Sequence, residues 1–165
     1  MFFKSISNIA YKLGSNNTAL VKDIFKRVGL KRPAVGKLAL DSYYIQEGDT
    51  PEILAKKFYN NVYYHWIILV VNDIVNPYEE WPRNSNAMFA YTEDKYGVGN
   101  ALKVHHYVLE EDTSIIVDYS TELDILPITN LDHEIAENDL KRRIWLLKPE
   151  FVKEFVSSYK KLMAI

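Results

Sequence analysis

The sequence predicts an α+β protein, and three observations carry that expectation. Apolar residues recur at helical spacing in some windows and alternate as in strands in others. The two kinds of segment are interspersed, with Gly, Pro, Asn and Asp clusters between them. A chain of 165 residues with 48% hydrophobic and 25% charged residues, 6 Gly and 6 Pro is globular in composition and sized for about one domain, which excludes a disordered or low-complexity scaffold.

The elements follow in chain order. Residues 1–38 read as a basic N-terminal arm holding one short helix: Asn16-Asn17-Thr18 offers a cap, Leu20, Ile24 and Val28 recur beside Val21 and Phe25, and Gly29 stops the pattern. Lys31-Arg32-Pro33 breaks the chain before the globular domain, residues 39–165. A strand is predicted over 40–46, then a turn at Glu47-Gly48-Asp49. Thr50 supplies a capping hydroxyl and Pro51 suits the first helical position, so a helix starts there. Ile53, Leu54, Ala55, Phe58 and Tyr59 form its apolar side, and Asn60-Asn61 end it.

Residues 63–71 are apolar almost all round, and periodicity alone leaves buried helix or buried strand open. Helix is preferred, because Trp66 and Leu69 can pack on both sides and Asn72-Asp73 with Asn76-Pro77 provide a stop; Trp66 is assigned to the core. Ser85 is expected to cap a third helix carrying Ala87, Met88, Tyr91 and Tyr96, with Gly97 as its end. Residues 103–109 alternate as a strand and 115–119 return as its hairpin partner across Glu110-Glu111-Asp112. An acidic helix over 131–140 and a strand over 143–147 precede Pro149. Finally Phe151, Val152, Phe155, Val156, Tyr159, Leu162 and Met163 mark the face of an amphipathic C-terminal helix, which packs on its own domain or docks a partner.

Composition narrows function. With no cysteine, thiol catalysis, Cys-ligated zinc and iron–sulfur chemistry are removed. No apolar core follows Lys4, so no secretory leader is expected. The longest apolar run, 62–71, is half of the ~20 residues a membrane span needs, and His65 interrupts it. The net charge of −2 conceals blocks: residues 1–38 carry eight Lys/Arg against Asp23, 104–140 carry ten acids and no Lys or Arg, and 141–165 carry seven bases against Glu150 and Glu154. Such blocks orient protein partners or fold against one another within the chain, and both readings stand. Scattered bases in an acidic chain argue against nucleic acid.

No catalytic residue, metal or cofactor is expected. Of His65, His105, His106 and His133, the adjacent pair falls on a strand whose side chains alternate, so His105 and His106 should face opposite ways, and no His-x-x-x-His pair exists. Glu79-Glu80, Glu110-Glu111-Asp112 and Glu122/Asp124 read as solvated acidic loops rather than a glycosidase pair. Gly97-Val98-Gly99 lacks the strand-then-helix frame of a phosphate-binding turn, and no Gly-x-Ser-x-Gly occurs.

Tyr44-Ile45, Glu47-Gly48-Asp49-Thr50, Ile53, Leu54-Ala55 and Phe58-Tyr59 resemble the first half of a LysM module, here spanning about 42–82. That resemblance implies a β-α-α core, with an added helix, a β-hairpin and the C-terminal helix completing this chain. It also implies binding of N-acetylglucosamine chains of peptidoglycan near the Gly48, Asp49, Thr50, Pro51 turn. Where a sugar-binding LysM continues with Asn and a short apolar strand, this sequence has Asn72-Asp73-Ile74-Val75-Asn76-Pro77-Tyr78-Glu79-Glu80-Trp81-Pro82.

That continuation, with Tyr63-Tyr64-His65-Trp66-Ile67-Ile68-Leu69, Asp23-Ile24-Phe25-Lys26-Arg27-Val28, Asp94-Lys95-Tyr96-Gly97 and Asn138-Asp139-Leu140-Lys141-Arg142-Arg143-Ile144, resembles the LysM-containing baseplate wedge subunits of contractile-tailed, T-even-like bacteriophages. The resemblance implies a non-enzymatic virion protein, assembled in the host cytoplasm, that joins other wedge and hub-proximal tail proteins and neighbouring wedges. Twelve Tyr, 7 Phe and 3 Trp exceed what a small core needs, and Tyr and Trp suit interfaces. Candidate partner-contact residues are Phe25, Arg27, Tyr59, Tyr78 and Trp81.

Overall fold

Proline and side-chain caps set where several helices of this chain begin. In α1 (Pro51–Tyr59) the Thr50 hydroxyl accepts from the Ile53 N–H at 3.3 Å, Pro51 occupies the first turn, and Asn60 closes the helix at φ 52° with its N–H on the Ala55 carbonyl. The computed structural model describes residues 6–14, 17–23, 39–120 and 123–164. Elements in order are β1 (Asn8–Leu13), β2 (Asn17–Lys22), β3 (Leu40–Tyr44), α1, α2 (His65–Val71), α3 (Pro77–Glu80), α4 (Ser85–Tyr96), β4 (Val104–Leu109), β5 (Ile116–Val117), β6 (Ile125–Thr129), α5 (Asn130–Leu140), β7 (Arg143–Leu147) and α6 (Val152–Ala164). No helix among the described residues is long and apolar enough to cross a membrane.

The chain divides into two compact units. The first comprises residues 1–43, 49–75 and 145–165. Its core joins Ile67 and Val71 of α2 to Leu147 of β7 and Val152 of α6, with Tyr59, Trp66, Trp145 and Phe155 packed against them. A second cluster unites Ile6, Tyr159 and Met163, and the Trp66 ring lies 4.9 Å from that of Tyr159. The apolar stripe of α6 is therefore largely consumed by its own unit, which decides between the two readings of that face. Asn72 ties α2 to β7: its Oδ1 accepts from the Trp145 N–H, and its Nδ2 donates to the Trp145 and Ile68 carbonyls, each at 2.8 Å.

The second unit comprises residues 44–48 and 76–144. Its three-stranded antiparallel sheet has the order β5-β4-β6, followed by α5, whose start is closed by a reciprocal Thr129–Asp132 capping box. β3 pairs with β7. The flanking bonds, Lys148 N–H to the Ala39 carbonyl and Ile45 N–H to the Arg142 carbonyl, both 2.9 Å, run in opposite chain directions, so the pair is antiparallel.

The α+β class, α1, the turn and helix over 62–71, α5, β7 and α6 agree with the sequence reading. Three features differ. Residues 17–22 form a strand rather than part of a helix: Ile9, Tyr11 and Leu13 alternate, Gly14 turns the chain at φ +80°, and β2 pairs with β1 through Ile9–Val21, Tyr11–Ala19 and Leu13–Asn17. The rest of the expected helix, with Phe25 and Arg27, lies outside the described residues. Ser85 is the first residue of α4 rather than its cap; its N–H and hydroxyl donate instead to Glu47, at 2.7 and 3.1 Å. The expected two-stranded hairpin gains β6; Pro127 cannot donate to a ladder, and as an edge strand β6 tolerates it. After α2, where the sequence already departs from the LysM pattern, the chain enters the short α3, and the partner of β3 comes from residues 143–147, outside the LysM-like segment.

Candidate partner-contact surfaces

Residues directly opposite in an antiparallel pair share a face. In the β1–β2 ribbon one face therefore carries Ile9, Tyr11, Leu13, Ala19 and Val21, with Asn17 opposite Leu13 at its end, and all of these but Ala19 are exposed. The other face carries Asn8, Ala10, Lys12, Thr18 and Lys22, plus Leu20 at 76% exposure. A two-stranded ribbon is marginal alone, and this one is held at its root. Ile6 is buried with Tyr159 and Met163, Lys22 Nζ donates to the Ile6 carbonyl at 2.7 Å, the Asp23 N–H donates to Ser7 and the Ser7 N–H to Met163. The root is fixed and the apolar face is left in water.

The expected contact residues fall in different environments. Tyr78, in the first turn of α3, is 90% exposed. Trp81 is only 8% exposed, contrary to an exposed anchor, and the Trp81-Pro82 step is buried at both residues. Tyr59 is partly buried in the first unit, and its hydroxyl is buried with no partner that meets hydrogen-bond geometry. Burial, opposed in part by the Leu147 backbone, pushes its ionisation up to about 12.

The turn residues are occupied locally. Gly48 sits at φ +83° with open space around it, so glycine is required there by backbone conformation. In the first unit, Asp49 accepts from the Tyr43 hydroxyl at 2.8 Å, Thr50 caps α1, and Pro51 is buried. Burial first, then Asp49, raises the Tyr43 pKa, while Lys57 lies 5.3 Å over its ring.

Polar networks order the second unit. Arg142, buried, donates from Nε to Asp139 at 2.8 Å, from Nη2 to Glu47 at 3.2 Å, and to the carbonyls of Ile45 and Arg83 at 3.4 Å. Burial opposes its charge, but the two carboxylates outweigh that and raise its pKa. Asn138 brackets the Arg83 backbone, accepting from its N–H at 2.7 Å and donating to its carbonyl at 3.0 Å. Glu134, 5% exposed, accepts from Lys95 at 2.6 Å and from the Tyr96 hydroxyl at 2.8 Å. Burial pushes its pKa up, yet those donors prevail and hold it below the ordinary glutamate value.

His105 and His106 do not diverge as the alternation rule requires. Between the pairs Val104–Thr129 and His106–Ile128, β4 has one residue more than β6, a bulge at His105. The bulge re-aims the ring, which lies 2.8 Å, Nδ1 to Nδ1, from that of His106 and stacks on that of His133 at 4.1 Å. Sequence reading missed both this cluster and the ribbon. The ribbon had a signal, the alternation of Ile9, Tyr11 and Leu13 before Gly14; the bulge had none.

Uncovered apolar surface on a rooted ribbon marks an α+β protein that presents a face suited to a partner. The chain belongs to the base plate wedge protein 53 family, whose model matches residues 1–122. Baseplate wedge protein gp53 of Enterobacteria phage T4 is 35% identical over 86 residues, which is 52% of this chain and 41% of that protein. The match thus spans about two-fifths of the relative's length. Membership makes the chain a structural component of a phage tail baseplate.

Proposed function

We propose that the chain joins baseplate wedge proteins around the tail hub by protein–protein contact, and that the apolar face of the β1–β2 ribbon, with Tyr78 as a separate anchor, is buried by a neighbouring wedge protein. The observation that carries this is the ribbon face itself: Ile9, Tyr11, Leu13 and Val21 are exposed side by side within the family-matched segment. Apolar and aromatic clusters of this kind form the desolvated centre of interfaces. Basic residues on the opposite ribbon face, Lys12 and Lys22, suit an acidic rim on the partner, so association should weaken with salt. No catalysis, cofactor, nucleic acid or membrane contributes to this role.

Quantitative mass spectrometry of purified tail particles should find the chain at a fixed ratio to a component of known sixfold stoichiometry. A Tyr11→Ser, Leu13→Ser double variant should retain the thermal midpoint of the free protein yet lose incorporation at least tenfold. Absence of the wild-type chain from intact particles would reject the assembly role, and a peptidoglycan pull-down that retains the chain would favour glycan binding in its place. Normal incorporation of the double variant would reject the ribbon as the contact surface.

A further inference from the structure

The three clustered histidines lie outside every role assigned above. His105 and His106 come from β4 and His133 from the first turns of α5, and one ring nitrogen of each lies within 4.8 Å of the others. Their rings stack or meet edge-on: His105 on His133 at 9° and 4.1 Å, His106 to His133 at 90° and 5.8 Å. His105 is exposed and the other two are partly buried, so the cluster is open to water and ions.

Backbone bonds hold the two elements together independently of the rings. The Asn130 N–H donates to the Lys103 carbonyl and the Leu131 N–H to the Ala101 carbonyl, both at 2.9 Å, while Asn130 Nδ2 donates to the Asn100 carbonyl at 2.8 Å. The start of α5 is thereby clamped to the segment that leads into β4. With the bulge at His105, this fixes the three imidazoles beside one another; sites of this kind work when supporting bonds lock their elements.

We infer that His105, His106 and His133 form a three-histidine site for a divalent transition ion of the zinc class, with the fourth coordination position open. Three imidazoles and no thiolate or carboxylate suit Zn²⁺, whose Zn–N bonds of about 2.0–2.1 Å require tetrahedral nitrogens about 3.4 Å apart. The present separations bracket that value: the 2.8 Å Nδ1 pair opens slightly, and the wider spacing, up to 4.8 Å, closes by ring rotation. In the metal-free state one of the paired Nδ1 atoms donates a proton and the other accepts; on binding, the donor's proton moves to its own Nε2 by exchange with water, which leaves both Nδ1 lone pairs to the ion. A cation near a helix N-terminus is disfavoured by the helix dipole, and the Asp132 carboxylate in the same turn offsets this. The bound ion staples β4 to α5. Because His133 lies beyond the family-matched residues 1–122, the inference does not depend on the assembly role.

The test is calorimetric titration of the full-length, tag-free chain with Zn²⁺, repeated with Co²⁺ read by its visible absorption. One ion per chain is expected. His105→Ala, His106→Ala and His133→Ala should each weaken binding by about tenfold or more, whereas His65→Ala, whose ring bonds the Val62 carbonyl in the other unit, should not change it. His133→Gln, with an unchanged far-ultraviolet circular dichroism spectrum, guards against loss by misfolding and should be equally impaired. No uptake by the wild-type chain, or uptake within threefold of wild type in folded His133→Gln, overturns the inference. So does competition by excess Mg²⁺, which would place the ion on surface carboxylates.

Discussion

The two units reach order by different chemistry. The first is fastened by apolar and aromatic packing: Ile67, Val71, Leu147 and Val152 at its centre, Trp66 against Tyr159 and Phe155. The second also buries apolar side chains, among them Met88, Val108 and Ile144, but every buried polar or charged residue among those described belongs to it: Thr92, Asn130, Glu134, Asn138 and Arg142. Apolar burial is non-directional and tolerates adjustment. Buried hydrogen-bonded groups are strict, because losing one partner leaves the other desolvated. The second unit therefore fixes its loops and its bulged strand by specific partners, and the first fixes α2 and α6 mainly by volume, with Asn72 as its one described polar tie between α2 and β7.

The sharpest way to break the comparison is to remove volume from the first unit. Ile67→Ala, at a fully buried position, should cost about 4 kcal/mol and should do so equally at low and high salt. Urea unfolding with hydrogen-exchange readout would check it, with amides of 49–75 losing protection first. Next, Arg142→Ala should cost the second unit about 3 kcal/mol, since it strands the Ile45 carbonyl and leaves the Asp139 and Glu47 carboxylates without their cation. Arg142→Lys should recover less than half, because an ammonium cannot reproduce the guanidinium fork.

A pH series sharpens the contrast. Glu134 has a folded pKa below its unfolded one, so its stabilisation is complete above the ordinary carboxylate range and disappears as pH falls through the lowered value. Glu134→Gln should cost about 1–2 kcal/mol at neutral pH and flatten the acid loss of the second unit's exchange protection. The smallest effect belongs to Tyr59→Phe in the first unit: deleting a buried hydroxyl whose contact with the Leu147 backbone falls short of hydrogen-bond geometry should leave stability unchanged or raise it by up to about 1 kcal/mol, seen as a higher thermal midpoint.

Local chemistry was legible in the sequence where it acts alone. Thr50-Pro51 and the Asn60 stop set α1, and the spacing from Phe151 to Met163 set α6, because caps and periodicity operate within a few residues. Pairing was not. Leu20 and Val21 fit a helix with Ile24 and Val28 as well as a strand, and opposition to β1 decides the matter. The partner of β3 lies about a hundred residues further on, and nothing near residue 40 names it. The same limit concealed the histidine cluster, since alternation fails at a bulge and His133 arrives from another element. The surface turned out legible by composition rather than by position: an excess of aromatics was real, but which of them stay uncovered depended on packing that buries Trp81 and leaves Tyr78 in water.

The discontinuity of the first unit has a consequence during synthesis. Residues 76–144 emerge from the ribosome as one run holding nearly all of the second unit, while the first must wait for 145–165 to supply the end of β7 and all of α6. At about 5–20 residues per second, that delay lasts about 1–4 s for the final stretch alone. Throughout it Trp66, Ile67 and Val71 lack Leu147 and Val152, so the nascent chain displays an oily α2 to the cytosol, the kind of surface that chaperones capture and that aggregates when translation stalls.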